Sequence, residues 1–249
     1  MTKDNPEQKE VTTGEMPFLH HLEELRIRLI KVISTVLIGS LVAYFLSDHM
    51  VDFLVKPVGT VYFREPTGAF MIRIKVSLFA GLVVGIPVIL YQFWKFVGPG
   101  LYSKEIKFLM PVTLLGTLFF FTGAGFCFYF VMPAAMKILQ EFATPNVKAW
   151  IDVNEYFSFV FWLCVAFGAV FELPIIAFFL GKLGIVSART LRKGRRIAIV
   201  IIAIVAAVIT PTPDAFTMTL LGVPLYLFYE ASIIVVHLTG KKRDAEVKT

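Results

Sequence analysis

The sequence predicts an all-α fold: a polytopic membrane bundle of six transmembrane helices, with a short fifth/sixth hairpin and both termini cytoplasmic. Three observations predict it. Of 249 residues, 57% are hydrophobic and only 17% are charged, whereas soluble domains are roughly half apolar and about a quarter charged. The apolar residues fall in runs near the length of about 20 that a bilayer-crossing helix needs. The basic residues, which set a net charge of +6, sit beside those runs. That pattern belongs to topology signals and anionic-lipid contacts, and no nucleic-acid partner is expected.

The elements follow in order. Residues 1–15 are polar, contain acids and lead into no apolar run directly, which predicts a disordered cytoplasmic tail rather than a cleaved signal. Residues 16–237 form one six-span domain, and residues 238–249 a basic cytoplasmic tail. The spans are expected at Leu29–Leu46, Val76–Val97, Phe108–Met132, Phe157–Leu180, Ile197–Thr210 and Phe216–Val236. One set of loops holds fourteen Lys and Arg residues (Arg26, Arg28, Lys104, Lys107, Lys182, Arg189, Arg192, Lys193, Arg195, Arg196, Lys241, Lys242, Arg243, Lys248). The other holds six (Lys56, Arg64, Arg73, Lys75, Lys137, Lys148). The richer set faces the cytoplasm by the positive-inside rule, which puts both termini there. The outer loops, 47–75 and 133–156, carry Tyr62, Phe63, Phe70, Leu139, Phe142 and Trp150, and are expected to form short helices capping the bundle. The fifth span has only about 14 residues, or roughly 21 Å of helix, against a hydrocarbon core of about 30 Å. It turns into the sixth through TPTPD, Thr210 to Asp214, where two prolines stop a helix.

Acids stand where a membrane protein must account for them. Glu172, in VAFGAVFELPI, lies in the inner half of the fourth span, where a charge costs about 2.5–3.5 kcal/mol or more. Two readings stand side by side: a protonated or paired acid that holds helices together, and a docking point for a partner helix or a proton. Glu230, in YLFYEASII, returns along the hairpin to the level of Arg195 and Arg196, where it is expected to pair structurally. In GPGLYSKEIKF, Ser103 caps a helix whose first turn holds Glu105, a position the helix dipole favours. In HHLEELRIRLI, residues Phe18, Leu22, Leu25 and Leu29 make one apolar stripe. Glu24 falls off that stripe, four residues from both His20 and Arg28, as in an interfacial helix laced by i,i+4 pairs. Yet two inner-face segments each offer an acid. Glu24 and Glu105 together would form an acidic site, and paired carboxylates select guanidinium over ammonium.

No enzyme is expected. HExxH, Gly-x-Ser-x-Gly and P-loop patterns are absent, no cofactor is implied, and Cys127 and Cys164 lie within apolar runs as packing residues without metal spacing.

Four ordered stretches carry a family resemblance across residues 16–237: MPFLHHLEELRIRL, PVILYQFWKFVGPGLYSKE, AFGAVFELPI and TPTPDAFTMTLLGVPLYLFYE. The chain resembles TatC, the core receptor subunit of the twin-arginine protein translocase. The resemblance implies a six-span, glove-shaped bundle in the bacterial inner membrane. It would bind the twin-arginine signal peptides of folded proteins at the cytoplasmic face. It would assemble with single-span TatA- and TatB-type partners and other copies of itself, for transport driven by the proton motive force. The acids credited with peptide binding correspond to Glu24 and Glu105, with Arg26, Phe96 and Leu101 on matching positions around them. Glu172 corresponds to the family's intramembrane acid, implicated in partner-helix contact. Pro57 and Asp214 match positions linked to function or assembly. Two other classes remain as alternatives. One is a small-solute or ion-coupled secondary transporter using Glu172. The other is a scaffold that only organises partner helices.

Overall fold

The computed structural model describes residues 15–97, 109–141, 150–209 and 215–246. Among these, ten α-helices and one π turn account for nearly all ordered backbone: α1 (Glu15–Tyr44), α2 (Ser47–Val55), α3 (Gly68–Val97), α4 (Leu109–Phe126), the π turn (Cys127–Val131), α5 (Met132–Glu141), α6 (Val153–Phe171), α7 (Leu173–Leu183), α8 (Ala188–Lys193), α9 (Arg195–Ile209) and α10 (Ala215–Glu246). Among the described residues five stretches are long and apolar enough to cross a membrane: Leu22–Tyr44, Gly68–Phe96, Leu109–Ile138, Val153–Lys182 and Met218–Thr239. The expected fifth span is α9, whose 15 residues give about 22 Å and leave it short of a full crossing, as the sequence had suggested.

Several boundaries differ from expectation. The amphipathic stretch around Glu24 and the first span form one continuous helix, α1, because no Pro or Gly interrupts residues 18–38. The second span begins at Gly68 rather than Val76, since Arg73 and Lys75 continue the helix at the bundle's end. The third carries a π turn, in which the Met132 amide donates to the Cys127 carbonyl. Pro133 follows, which has no N–H for Tyr129, and the turn widens just before it. The fourth span is two helices. Pro174 cannot donate to the Val170 carbonyl, and α6 ends at Phe171 while α7 starts at Leu173, with Glu172 at the joint.

Helix order in space follows from the small residues. α1 and α3 run antiparallel in steady register, with Arg28 at Gln92, Val36 at Gly85 and Gly39 at Gly81. A Cβ on Gly81 would stand 2.6 Å from the Val36 carbonyl oxygen. The two backbones therefore meet through hydrogen alone, as small residues permit in membranes. α4 packs antiparallel on α6 by the same device: Gly123 lies under Phe171 and the Phe167 carbonyl, Gly168 under the Phe120 ring, and Gly116 under Glu172. α3 and α6 run parallel, with Lys75 at Ser158, Phe79 at Phe161, and Leu90 near the Gly116–Glu172 contact.

One end of the bundle is closed by its loops. The Tyr156 hydroxyl donates to the Leu54 carbonyl at 2.6 Å, tying α6 to α2. Tyr62 and Ile151–Val153 exchange backbone bonds of 3.1 and 2.8 Å, so the segment after α2 docks on the segment before α6, with Tyr62 against Trp150 at 5.3 Å between rings. The Asp152 carboxylate then caps α6 through the Asn154 and Glu155 amides. Stretch 47–67 thus holds one short helix, α2, and the described part of 133–156 belongs to α5 up to Glu141 and to α6 from Val153. Leu139 and Phe142 lie where no side chain is described.

Candidate functional site

At the other end, α1 and α3 lie side by side. Arg28, one turn after Glu24, donates through Nε to Glu24 Oε1 at 3.1 Å, and its Nη2 makes a closer contact to the same oxygen. Its Nη1 donates to Gln92 Oε1 of α3 at 3.2 Å. One guanidinium thus bridges an acid of α1 and an amide of α3. The Glu24 side chain is 24% exposed and that of Arg28 is 12% exposed. A ligand can reach the acid, while the arginine is largely packed.

Register places the neighbours. Arg28 meets Gln92, so one turn further out Glu24 stands level with Phe96, the half-buried residue in the last turn of α3. Arg26 is exposed on α1. α3 ends at Val97, level with Glu23 and Glu24, and α4 begins at Leu109. The expected site residues Leu101 and Glu105, with the Ser103 cap, lie outside the described residues, as does Asp214 of the hairpin turn.

Glu172 sits in a different setting. It is 4% exposed, and neither carboxylate oxygen has a hydrogen-bond partner among the described residues. Its oxygens lie over Gly116 of α4, with Leu90 of α3 alongside. Leu90 is seven residues from the end of α3, about 10 Å along the axis. The acid therefore lies in the half of the bundle that holds Glu24. Trp94, one turn beyond Leu90, is 1% exposed and stacks edge-on against Phe179 at 4.8 Å. Its Nε1 also lacks a partner among the described residues. Sequence reasoning passed over Trp94 because an indole in an apolar run reads as packing.

The remaining site residues are placed plainly. Arg195 Nη2 donates to Glu230 Oε2 at 2.7 Å, and the Tyr226 hydroxyl donates to Glu230 Oε1 at 2.6 Å. Glu230 thus ties the foot of α9 to α10 at the level the hairpin count indicated. Pro57 follows α2, where Val58 and Gly59 amides close a turn onto the Val55 carbonyl. Gly59 there adopts φ 84°, a left-handed conformation favouring glycine. Among the described residues, no three His, Cys, Asp or Glu side chains group to hold a metal.

A bundle of membrane-length helices with a ligand-reachable acid at one end and an unpartnered acid in its interior defines a multi-pass membrane protein. Comparison with known proteins sharpens the class. Residues 20–224 match the model of the TatC family, described as Sec-independent protein translocase protein. The TatC of Aquifex aeolicus is 39% identical over 240 residues, covering 92% of this chain and 98% of that one. The TatC of Desulforapulum autotrophicum is 38% identical over 237 residues, covering 92% and 87%. A solved structure described as the twin arginine translocase receptor TatC superposes with a TM-score of 0.81 at 38% identity, over 88% of this chain and 99% of that one. The chain belongs to the TatC family. It is a component of a protein translocase in the membrane and not an enzyme.

Proposed function

We propose that the α1–α3 end of the bundle is the receptor for twin-arginine signal peptides, with Glu24 and Glu105 as the acids that hold the arginine pair. The observation that carries this is the Glu24–Arg28–Gln92 bridge. Glu24 already accepts a guanidinium in the free protein, and an amide carbonyl from α3 completes the grip. A planar guanidinium can meet both groups at once, whereas a lysine ammonium is a point charge without that fork. α3 ends at Val97, level with Glu24, and Glu105 follows eight residues later in the sequence. A second acid therefore starts from the right place in the chain to take the second arginine. In this reading Arg26, Phe96 and Leu101 contact the peptide around its arginines, Phe96 from the level of Glu24 on α3.

In this reading the end bearing Glu24 faces the cytoplasm of a bacterial inner membrane, together with both termini, as the basic-residue count requires. The chain spans the membrane six times, with α9 and the start of α10 forming the short pair. Residues 16–237 act as one domain between two tails. Glu172 meets the single-span TatA- and TatB-type partners, and Pro57, Asp214 and Glu230 support the assembly. Copies of the complex carry folded cargo at the expense of the proton motive force. The ion-coupled transporter using Glu172 is disfavoured because the acid is only 4% exposed, covered by Gly116 and Leu90.

Photo-crosslinking tests the placement. A twin-arginine peptide with a photoreactive group beside its arginines should label α1 near Glu24 and α3 near Phe96. Labelling confined to the α9–α10 hairpin would contradict the assignment.

A further inference from the structure

The opposite end of the bundle carries a second polar feature with no part in peptide binding. Between α3 and α6 lies a groove of about 230 Å³. Its rim is Lys75, whose Nζ donates to Ser158 Oγ at 3.1 Å. Its walls, one turn further along both helices, are Leu78, Phe79, Phe161 and Trp162. α3 and α6 run parallel here, so the polar pair sits at one end of the groove and the apolar walls run from it toward the bundle's middle. Trp162 is 58% exposed and Leu78 45% exposed, so the groove opens outward from the bundle.

The charge at the rim is uncompensated. Among the described residues, Lys75 pairs with no carboxylate. Its neighbour Arg73 is already engaged by Asp48 at 2.7 Å, and Glu155, one turn back on α6, makes no ion pair with it. The Ser158 hydroxyl donates its own proton to the Asn154 carbonyl at 2.7 Å, so it serves Lys75 as an acceptor. An ammonium has three donors, and two remain after Ser158. Depth fits as well. α3 has 30 residues, about 45 Å, against a hydrocarbon core of about 30 Å. Lys75 lies seven residues from Gly68, about 10 Å in, which is near the boundary between headgroups and hydrocarbon.

We propose that this groove binds one anionic phospholipid, with phosphate oxygens on Lys75 Nζ and an acyl chain along Phe79, Phe161 and Trp162. The order of chemistry along the groove is that of such a lipid: anion acceptors needed at the rim, hydrocarbon below. A zwitterionic headgroup would bring its own cation beside Lys75, whereas a phosphatidylglycerol headgroup brings hydroxyls.

The test uses the full chain in phosphatidylcholine vesicles containing one quarter phosphatidylglycerol, with bromines on the acyl chains of one lipid or the other. Trp162 quenching is taken as the difference between wild type and Trp162→Phe. Brominated phosphatidylglycerol is expected to quench Trp162 well above its share of the mixture, with a preference of about fivefold, as one lysine near a lipid surface supplies. Lys75→Gln should bring quenching down to the share, and Lys75→Arg should keep the enrichment. Quenching at the share in wild type, enrichment that survives Lys75→Gln, or equal loss in both variants would overturn the proposal.

Discussion

Glu24 and Glu172 are the same side chain in opposite circumstances. Glu24 stands on α1 level with the end of α3, partly exposed, with a guanidinium already on it. Glu172 lies at a helix joint, almost wholly covered, with no hydrogen-bond partner among the described residues. The first is an exchangeable contact. An i,i+4 ion pair on a helix is worth about 0.3–0.5 kcal/mol, and an incoming ligand would meet this one from its more exposed side, at Glu24, with Arg28 largely packed behind it. The second is a standing liability. A buried polar group left unsatisfied costs about 1–3 kcal/mol, which the fold carries through the close helix packing around it. Chemistry that must bind and release belongs at the first acid. The partner contact proposed for the second would supply the hydrogen bonds it lacks among the described residues.

The comparison breaks most readily at the packing that surrounds Glu172. Gly123→Leu would drive a side chain into Phe171 and the Phe167 backbone carbonyl, which approach within 2.6 and 2.8 Å of a bare Cβ. Backbone cannot yield as a flexible side chain can, and the variant should lose about 3 kcal/mol of stability, seen as a lower melting temperature in detergent. Glu172→Met, close to the same volume, removes the unsatisfied carboxylate. It should raise stability by about 1–3 kcal/mol while co-purification of single-span partners falls. A lower melting temperature would mean that the acid is satisfied after all. Glu230→Gln weakens an exposed pair with Arg195 and should cost less than about 1 kcal/mol, without moving peptide affinity. The smallest effect is at Arg28. Arg28→Gln removes the resident guanidinium from Glu24, and a twin-arginine peptide should bind about twofold tighter, the equivalent of roughly 0.4 kcal/mol. Isothermal titration at low salt would resolve it, and weaker binding would show that Arg28 positions Glu24 rather than competing for it.

Much of this was legible in the sequence, because a bilayer makes few kinds of pattern. The long spans, the short fifth helix and the acid beside Pro174 follow from apolar run length and proline chemistry. The level match of Glu230 with Arg195 followed from counting back along a hairpin. Other features were not legible. Arg28 reaching Gln92 joins residues 64 apart, and no local period encodes such a contact. The break at Glu172 depends on how α6 is held against α4 through Gly168 and Gly123, so proline alone left open whether the span would bend or stop. The docking of Tyr62 on Ile151–Val153 is strand-like pairing between loops that carry no alternating pattern. The Lys75 groove exists only because α3 and α6 run parallel, which their separate sequences do not state.

The central claim is that an acid at the α1–α3 end reads guanidinium. Its most direct test is titration of the purified full chain with a twin-arginine peptide and with its twin-lysine counterpart, in wild type, Glu24→Ala and Glu105→Ala. Wild type should prefer the arginine peptide by about tenfold or more, since a charge-assisted hydrogen bond is worth about 1.5–3 kcal/mol, and each substitution should erase most of that preference at an unchanged melting temperature. Equal binding of the two peptides, or a preference that survives both substitutions, would contradict the account.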